Sequence, residues 1–278
     1  MSIPRGAAGT SLGQLVYSRE RTLYGIMVVL SLGVYAGLIM WGVSQPETGA
    51  SFLVYAVLIP LIVWFAHGVA LGRVRGNAIQ VSEKQFPQLF RLTAAHARRM
   101  ELKEVPAVYV LQSGGALNAF ATRFSGRDFV IINSDVLELA LDQGEAAVGF
   151  IVGHELAHLW RGHLRHRWLT MPARLVPYLG AAYSRACEYT CDRVGAACQP
   201  EGAISGLLAL AAGKQLHAHV DVREFAAQAQ KDQSFWIRRA ELVSSHPLLT
   251  KRVAALLKAG VTIPARAGIP LAGNPAAA

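Results

Sequence analysis

The sequence predicts an α+β protein in which an N-terminal transmembrane helical hairpin precedes a mainly helical domain with a small antiparallel sheet. Three observations predict it. Two uncharged runs of 21 residues, 23–43 and 51–71, stand back to back. Short β-rich runs separated by glycines occupy residues 107–132. Most of the chain beyond them repeats its apolar residues at helical spacing.

Composition agrees with the hairpin. Of the 278 residues, 53% are hydrophobic and only 16% charged, against about 25% charged in an ordinary soluble domain. At 1.5 Å per residue, either uncharged run crosses a hydrocarbon core of about 30 Å. Pro60 is tolerated in such a helix. A cleaved signal peptide fits poorly, because the first run is long, starts beyond residue 20 and is followed at once by a second. Arg5, Arg19 and Arg21 precede the hairpin, Arg73 and Arg75 follow it, and its turn carries only Glu47. The positive-inside rule therefore places both chain ends on the cytoplasmic side, in a bacterium at the inner membrane.

The net charge of +9 does not imply nucleic acid. The basic residues are scattered, with no zinc-finger spacing or helix-turn-helix signal beside them. Cys187, Cys191 and Cys198 are an odd set with no disulfide framework, and read as buried thiols.

The chain divides into a cytoplasmic N-terminal segment (1–22), the hairpin (23–71), a domain over 72–262 and a disordered tail over 263–278. Within the domain, Ser82 is placed to cap a helix over 85–100, with Phe86, Leu89, Leu92 and Ala95 on its apolar face. The sheet comes next, then helices over 135–141, 143–165, 184–197 and 203–212. Further helical pieces lie near Phe225 and Ile237, and a last one precedes Gly260, a natural C-cap.

The chemistry concentrates in His154-Glu155-Leu156-Ala157-His158. Two histidines four apart share one helix face, so both rings can reach one zinc ion at about 2.1 Å. Glu155 lies beside the first and can act as general base toward water. The helix around them is apolar, and buried His and Glu side chains need partners. A third ligand must come from elsewhere. On a continuous helix His163 falls half a turn away, and with Arg161, Arg165, His166 and Arg167 it reads as a basic, solvated or headgroup-facing helix end. Glu188 and Asp192, four apart on a later helix, are the better source. Glu188 is the candidate third ligand, and Asp192 can accept the free ring N–H of a bound histidine.

Taken in order, the hairpin, Asn118-Ala119-Phe120-Ala121, the His154–His158 motif, Glu188 with Asp192, and His246-Pro247 with Arg252 resemble the HtpX-like membrane zinc metallopeptidases over roughly residues 20–260. The resemblance implies a gluzincin domain with His154, His158 and Glu188 as zinc ligands, Glu155 as base and Asp192 behind the ligands. It also implies that Asn118, Ala119, Phe120 and Ala121 form the edge strand along which an extended substrate pairs. His246 is a candidate donor to the oxyanion, or else a cap for the next helix. One departure stands out. The family usually carries a second apolar pair between the two motifs, whereas residues 169–183 are broken by Pro172, Arg174 and Pro177 and cannot make two spans.

The expectation is a zinc-dependent endopeptidase, with one Zn2+ per chain, acting on membrane or membrane-associated proteins in their quality control. Its partners would be the lipid bilayer and polypeptide substrates, with no nucleic acid; a homo-oligomer is compatible with it. Two alternatives stand beside it: a processing protease dedicated to one membrane partner, and a non-catalytic zinc-containing membrane scaffold.

Overall fold

A computed structural model describes residues 11–115, 117–143 and 145–264. The start of the N-terminal segment (1–10) and the tail expected to be disordered (265–278) lie outside the described residues. Two long helices come first, α1 (Ser18–Ser44) and α2 (Pro46–Asn77), joined at Gln45. Of the most apolar stretch of each, only 11% and 6% is buried. They are long and apolar enough to cross a membrane and turn most of that surface outward. This favours an integral-membrane hairpin over a buried helical pair.

The hairpin is fastened to the remainder at its open end. Before α1, a 3₁₀ turn (Leu12–Leu15) seats Leu15 in the main core. On α2, Leu71 packs among the sheet residues Tyr109, Phe129 and Ile131. The sheet has four strands in the order β1-β2-β4-β3: β1 (Ile79–Gln80), β2 (Ala107–Leu111), β3 (Ala119–Phe124) and β4 (Arg127–Asn133). β3 and β4 form a hairpin through Ser125 and Gly126, both at positive φ (47° and 84°), which suits a tight turn. Two pairings are antiparallel, but β2 and β4 run parallel because β3 folds to the outer side of β4. β3 is thus an edge strand, with residues 119–121 of the predicted edge segment on it.

The first domain helix is shorter than the periodicity predicts. α3 spans Pro87–Arg99 and starts after Phe86, at φ 59°. Ser82 accepts from Gln85 N–H in a turn instead of capping it. Its buried face is Leu89, Thr93, Ala94, His96 and Ala97, with Ala95 outside it.

The other helices are α4 (Ser134–Gln143), α5 (Glu145–Arg161), α6 (Met171–Arg174), α7 (Leu179–Cys198), α8 (Ala203–Leu216, kinked at Gly213), α9 (Val222–Lys231), α10 (Phe235–Val243) and α11 (Leu249–Lys258). α5 is buried almost continuously from Ala147 to Ala157, as a helix apolar all round must be. It lies between the sheet, α7 and α8, and its Val152 and Leu156 share one core with Val130, Ile132, Leu207 and Leu256. α5 and α7 meet through glycines: a Cβ on Gly153 would come within 3.3 Å of the Gly195 Cα. That close approach lets side chains from the two helices converge.

Candidate metal centre

His154 and His158 project from one face of α5 toward Glu188 on α7. His154 Nε2 lies 3.4 Å from Glu188 Oε2, and His158 Nε2 lies 3.4 Å from Glu188 Oε1. A tetrahedral ion with bonds of about 2.1 Å separates its donors by about 3.4 Å. The three side chains, two imidazoles and one carboxylate, offer donor atoms within 4.8 Å of one another, a set able to hold a metal ion. With three protein donors, a fourth position stays available for water or substrate.

Each donor is held from behind. His154 Nδ1 is 3.0 Å from Asp192 Oδ1. Arg252, buried on α11, bonds Asp192 through Nε (2.8 Å) and NH2 (2.6 Å), and its NH1 is 3.3 Å from Glu188 Oε2. Burial would lower the pKa of His154, but Asp192 and Glu188 overcome it and raise it to about 10. Burial would raise Glu188, yet both histidines hold its carboxyl well below the usual range. Asp192 is likewise lowered against its burial, chiefly by Arg252.

Glu155 points the other way, toward the sheet. Its Oε2 accepts from the Ala121 N–H of β3 at 2.8 Å. Burial raises its pKa although both histidines pull it down, which suits a group that must take up a proton. Asn118 C=O accepts from Asn133 N–H on β4, so the backbone groups of 119, 121 and 123 face the free edge. Ala119, Phe120, Ala121, His154, Glu155, His158 and Glu188 line one cleft of about 300 Å³. His246 stands at its mouth, largely exposed, with Nε2 3.6 Å from Glu188 Oε1.

The basic helix end is corrected for His163 and Arg161, while Arg165, His166 and Arg167 are exposed as expected. α5 stops at Arg161; Gly162 takes φ +71°, Gly162 N–H bonds Leu159 C=O, and His163 N–H bonds His158 C=O. This is a Schellman cap. It swings His163 back so that its Nδ1 lies 3.0 Å from His158 Nδ1, with the ring buried and not solvated. Arg161 is also engaged, bonding Glu20 of α1 at 2.6 and 2.8 Å. Thr190 of α7 donates to the same carboxylate. Glycine followed by histidine at the end of the motif helix is the sequence signal for this turn. Nothing local announces Glu20.

Two further groups have donor atoms close enough for a metal: His158 with His163 and Cys191, and Glu20 with His163 and Cys187. Both are poorer. Burial pushes the Cys187 and Cys191 thiols up, away from the thiolate a metal requires, and Glu20 is already engaged by Arg161.

Comparison with known proteins bears on this geometry. The profile of Peptidase family M48 matches residues 83–178 and 170–259. No curated protein matches the chain significantly. The matched residues run from just before α3 to the end of α11 and include every side chain of the centre.

Proposed function

The chain belongs to peptidase family M48, and from that premise we propose that it is a zinc-dependent endopeptidase that hydrolyses peptide bonds of membrane or membrane-associated proteins, in their quality control. The observation that carries the reading is the convergence of His154, His158 and Glu188 at zinc-donor spacing beside the Glu155 carboxylate. A non-catalytic scaffold could use Glu155 only to hold the Ala121 N–H, whereas a peptidase uses it as a base as well.

In this reading residues 23–71 anchor the protein and residues 72–262 carry the chemistry, on the cytoplasmic side of a bacterial inner membrane. His154, His158 and Glu188 hold one Zn2+. When bound, zinc supplies Lewis acidity, lowering the pKa of water and polarising a scissile carbonyl. Asp192 and Arg252 orient His154 and Glu188. An extended substrate adds a strand at the free edge of β3, where main-chain hydrogen bonds bind it without reading much sequence. Glu155 accepts the proton of the attacking water on its carboxylate and delivers it to the leaving amine. The Ala121 N–H fixes Glu155 meanwhile, tying base and substrate strand together. His246, at the mouth of the cleft, donates from Nε2 to the developing oxyanion.

The test is zinc content and casein cleavage by the full chain in mild detergent, with and without a chelator. We expect one zinc per chain and cleavage that stops on chelation and returns with zinc. Zinc without cleavage would support the scaffold instead, and chelator-resistant cleavage would sink the metal mechanism. Comparing the proteomes of membranes carrying the native protein or Glu155→Gln then identifies substrates.

A further inference from the structure

Residues 164–178 leave the motif helix, pass beside α1 and return to α7. We infer that this segment from Trp168 onward lies in the lipid bilayer alongside the hairpin, so that the cleft opens at bilayer depth and not into open water.

Three independent observations support this. The first is position. The Tyr35 hydroxyl donates to Trp168 C=O at 2.7 Å, Ala173 N–H donates to Ser31 Oγ at 3.2 Å, and Ala173 packs with Met27. Residues 27–35 lie about 6–18 Å along the uncharged run that begins at Leu23, at 1.5 Å per residue. Whatever depth α1 occupies, this segment shares it.

The second is polarity. Trp168, Met171, Leu175, Val176 and Tyr178 turn outward, with Leu175 80% exposed. On α1, beside the Ser31 and Tyr35 that bond this segment, Leu30, Val34 and Leu38 are exposed as well. Arg174, by contrast, is half-buried and lines the cleft, as does Arg167, which with Arg165 and His166 is exposed at the segment's start. From Trp168 to Tyr178 the outside is apolar and the one basic group is turned in, the arrangement lipid demands, while the exposed Arg165, His166 and Arg167 precede it. The third is the backbone. The N–H groups of 170, 171, 174, 175 and 176 bond carbonyls within the segment, and that of 173 bonds Ser31. Residues 172 and 177 are prolines without one. Irregular backbone at membrane depth survives only when so satisfied, a condition that these bonds meet over residues 170–176.

Lipid is the occupant chosen over a partner protein, because the segment is bonded to α1, an apolar helix long enough to span a membrane and itself mostly exposed. The consequence for the proposed peptidase is direct. A chain segment held in or at the bilayer reaches the cleft without leaving it, whereas a soluble protein must first approach the membrane.

The test needs no catalytic activity, so its failure is separable from failure of the peptidase reading. The full chain is reconstituted in phosphatidylcholine vesicles with Trp168 as sole tryptophan, the others being replaced by phenylalanine. Parallel proteins retain only Trp64, on α2, or only Trp236, exposed on α10. Acyl-chain-brominated lipid should quench Trp168 at least half as strongly as Trp64, and iodide should quench it several-fold less than Trp236. Trp168 quenched by iodide like Trp236, or shielded from both quenchers, would overturn the inference. Unquenched Trp64 would remove the hairpin reading and this one with it. Should the multiple replacements prevent reconstitution, a nitroxide on Leu175→Cys reports the same depth. Faster collision with oxygen than with a water-soluble nickel complex supports immersion, and the reverse overturns it.

Discussion

Glu20, in the first turn of α1, lies 3.3 Å from His163 Nε2, and the other nitrogen of that ring lies 3.0 Å from His158 Nδ1. A membrane helix thus reaches the back of a candidate metal ligand through one imidazole. If His158 binds through Nε2, its Nδ1 carries the proton and donates to His163. The proton of His163 then sits on Nε2, facing the Glu20 carboxylate. Glu20 favours that arrangement through its charge at 3.3 Å, without a formed hydrogen bond to His163 Nε2.

Glu20→Gln keeps the shape and removes the charge. Zinc affinity should fall roughly 10- to 100-fold, the usual effect of losing a group behind a ligand. Competition with a chromophoric chelator measures it, and unchanged affinity would show that Glu20 serves only to anchor Arg161.

Glu155 and His154 should separate chemistry from binding. Glu155→Gln is expected to retain zinc while lowering kcat by roughly 10²- to 10⁴-fold; His154→Ala should lose both. Metal analysis beside peptide cleavage decides the matter, and a fully active Glu155→Gln protein would end the assignment.

Some of this is readable in the sequence and some is not, for a physical reason. The histidine pair and the Glu188–Asp192 pair are local, each four residues apart on a helix, so spacing alone places them on common faces. The hairpin too is a local property of two uncharged runs. The parallel β2–β4 pairing depends on where β3 folds, which no strand encodes by itself. His163 points away on a continuous helix, and one glycine at positive φ reverses that. Glu20 meets Arg161 across 141 positions, and a single acid beside an apolar run reads as an interfacial charge. Arg252 enters the sequence reading only as part of a motif. Its task is visible once α11 lies over α7.

Arg252 is buried and compensates Asp192 and Glu188. Arg252→Met should leave two carboxylates uncompensated and destabilise the protein by about 3–5 kcal/mol. The loss should be largest after chelation, when zinc no longer offsets the charge. Arg252→Lys should recover only part, since an ammonium cannot bond Asp192 through two parallel donors. Thermal unfolding in detergent, with and without chelator, tests both.

Zinc binding should depend on pH with a definite sign. Asp192 and Glu188 raise the pKa of His154 to about 10 against its burial, so a proton is expected on its ring through the neutral range before an ion binds. Zinc must displace that proton. Apparent affinity should therefore rise about tenfold per pH unit between pH 6 and 8, one proton leaving per ion bound. Calorimetry in two buffers of different ionisation enthalpy counts that proton. A count near zero would mean that His154 is already neutral.

The contact between α5 and α7 makes the last prediction. A Cβ on Gly195 would lie 3.1 Å from both the His154 nitrogen and the Phe150 carbonyl oxygen. Both are backbone atoms of a buried helix and cannot move aside as a flexible side chain does. In Gly195→Ala, α7 must therefore shift away from α5, carrying Glu188 away from the two imidazoles. Overpacking of this kind costs about 1–3 kcal/mol, and zinc affinity should fall roughly tenfold because donor spacing changes with it. Gly33→Ala is the control, since a Cβ there meets nothing within 4 Å. If Gly195→Ala lost stability but bound zinc as tightly as the native chain, the glycine contact would serve packing alone, and the donor spacing would have to be fixed elsewhere, by Arg252 across Glu188 and Asp192.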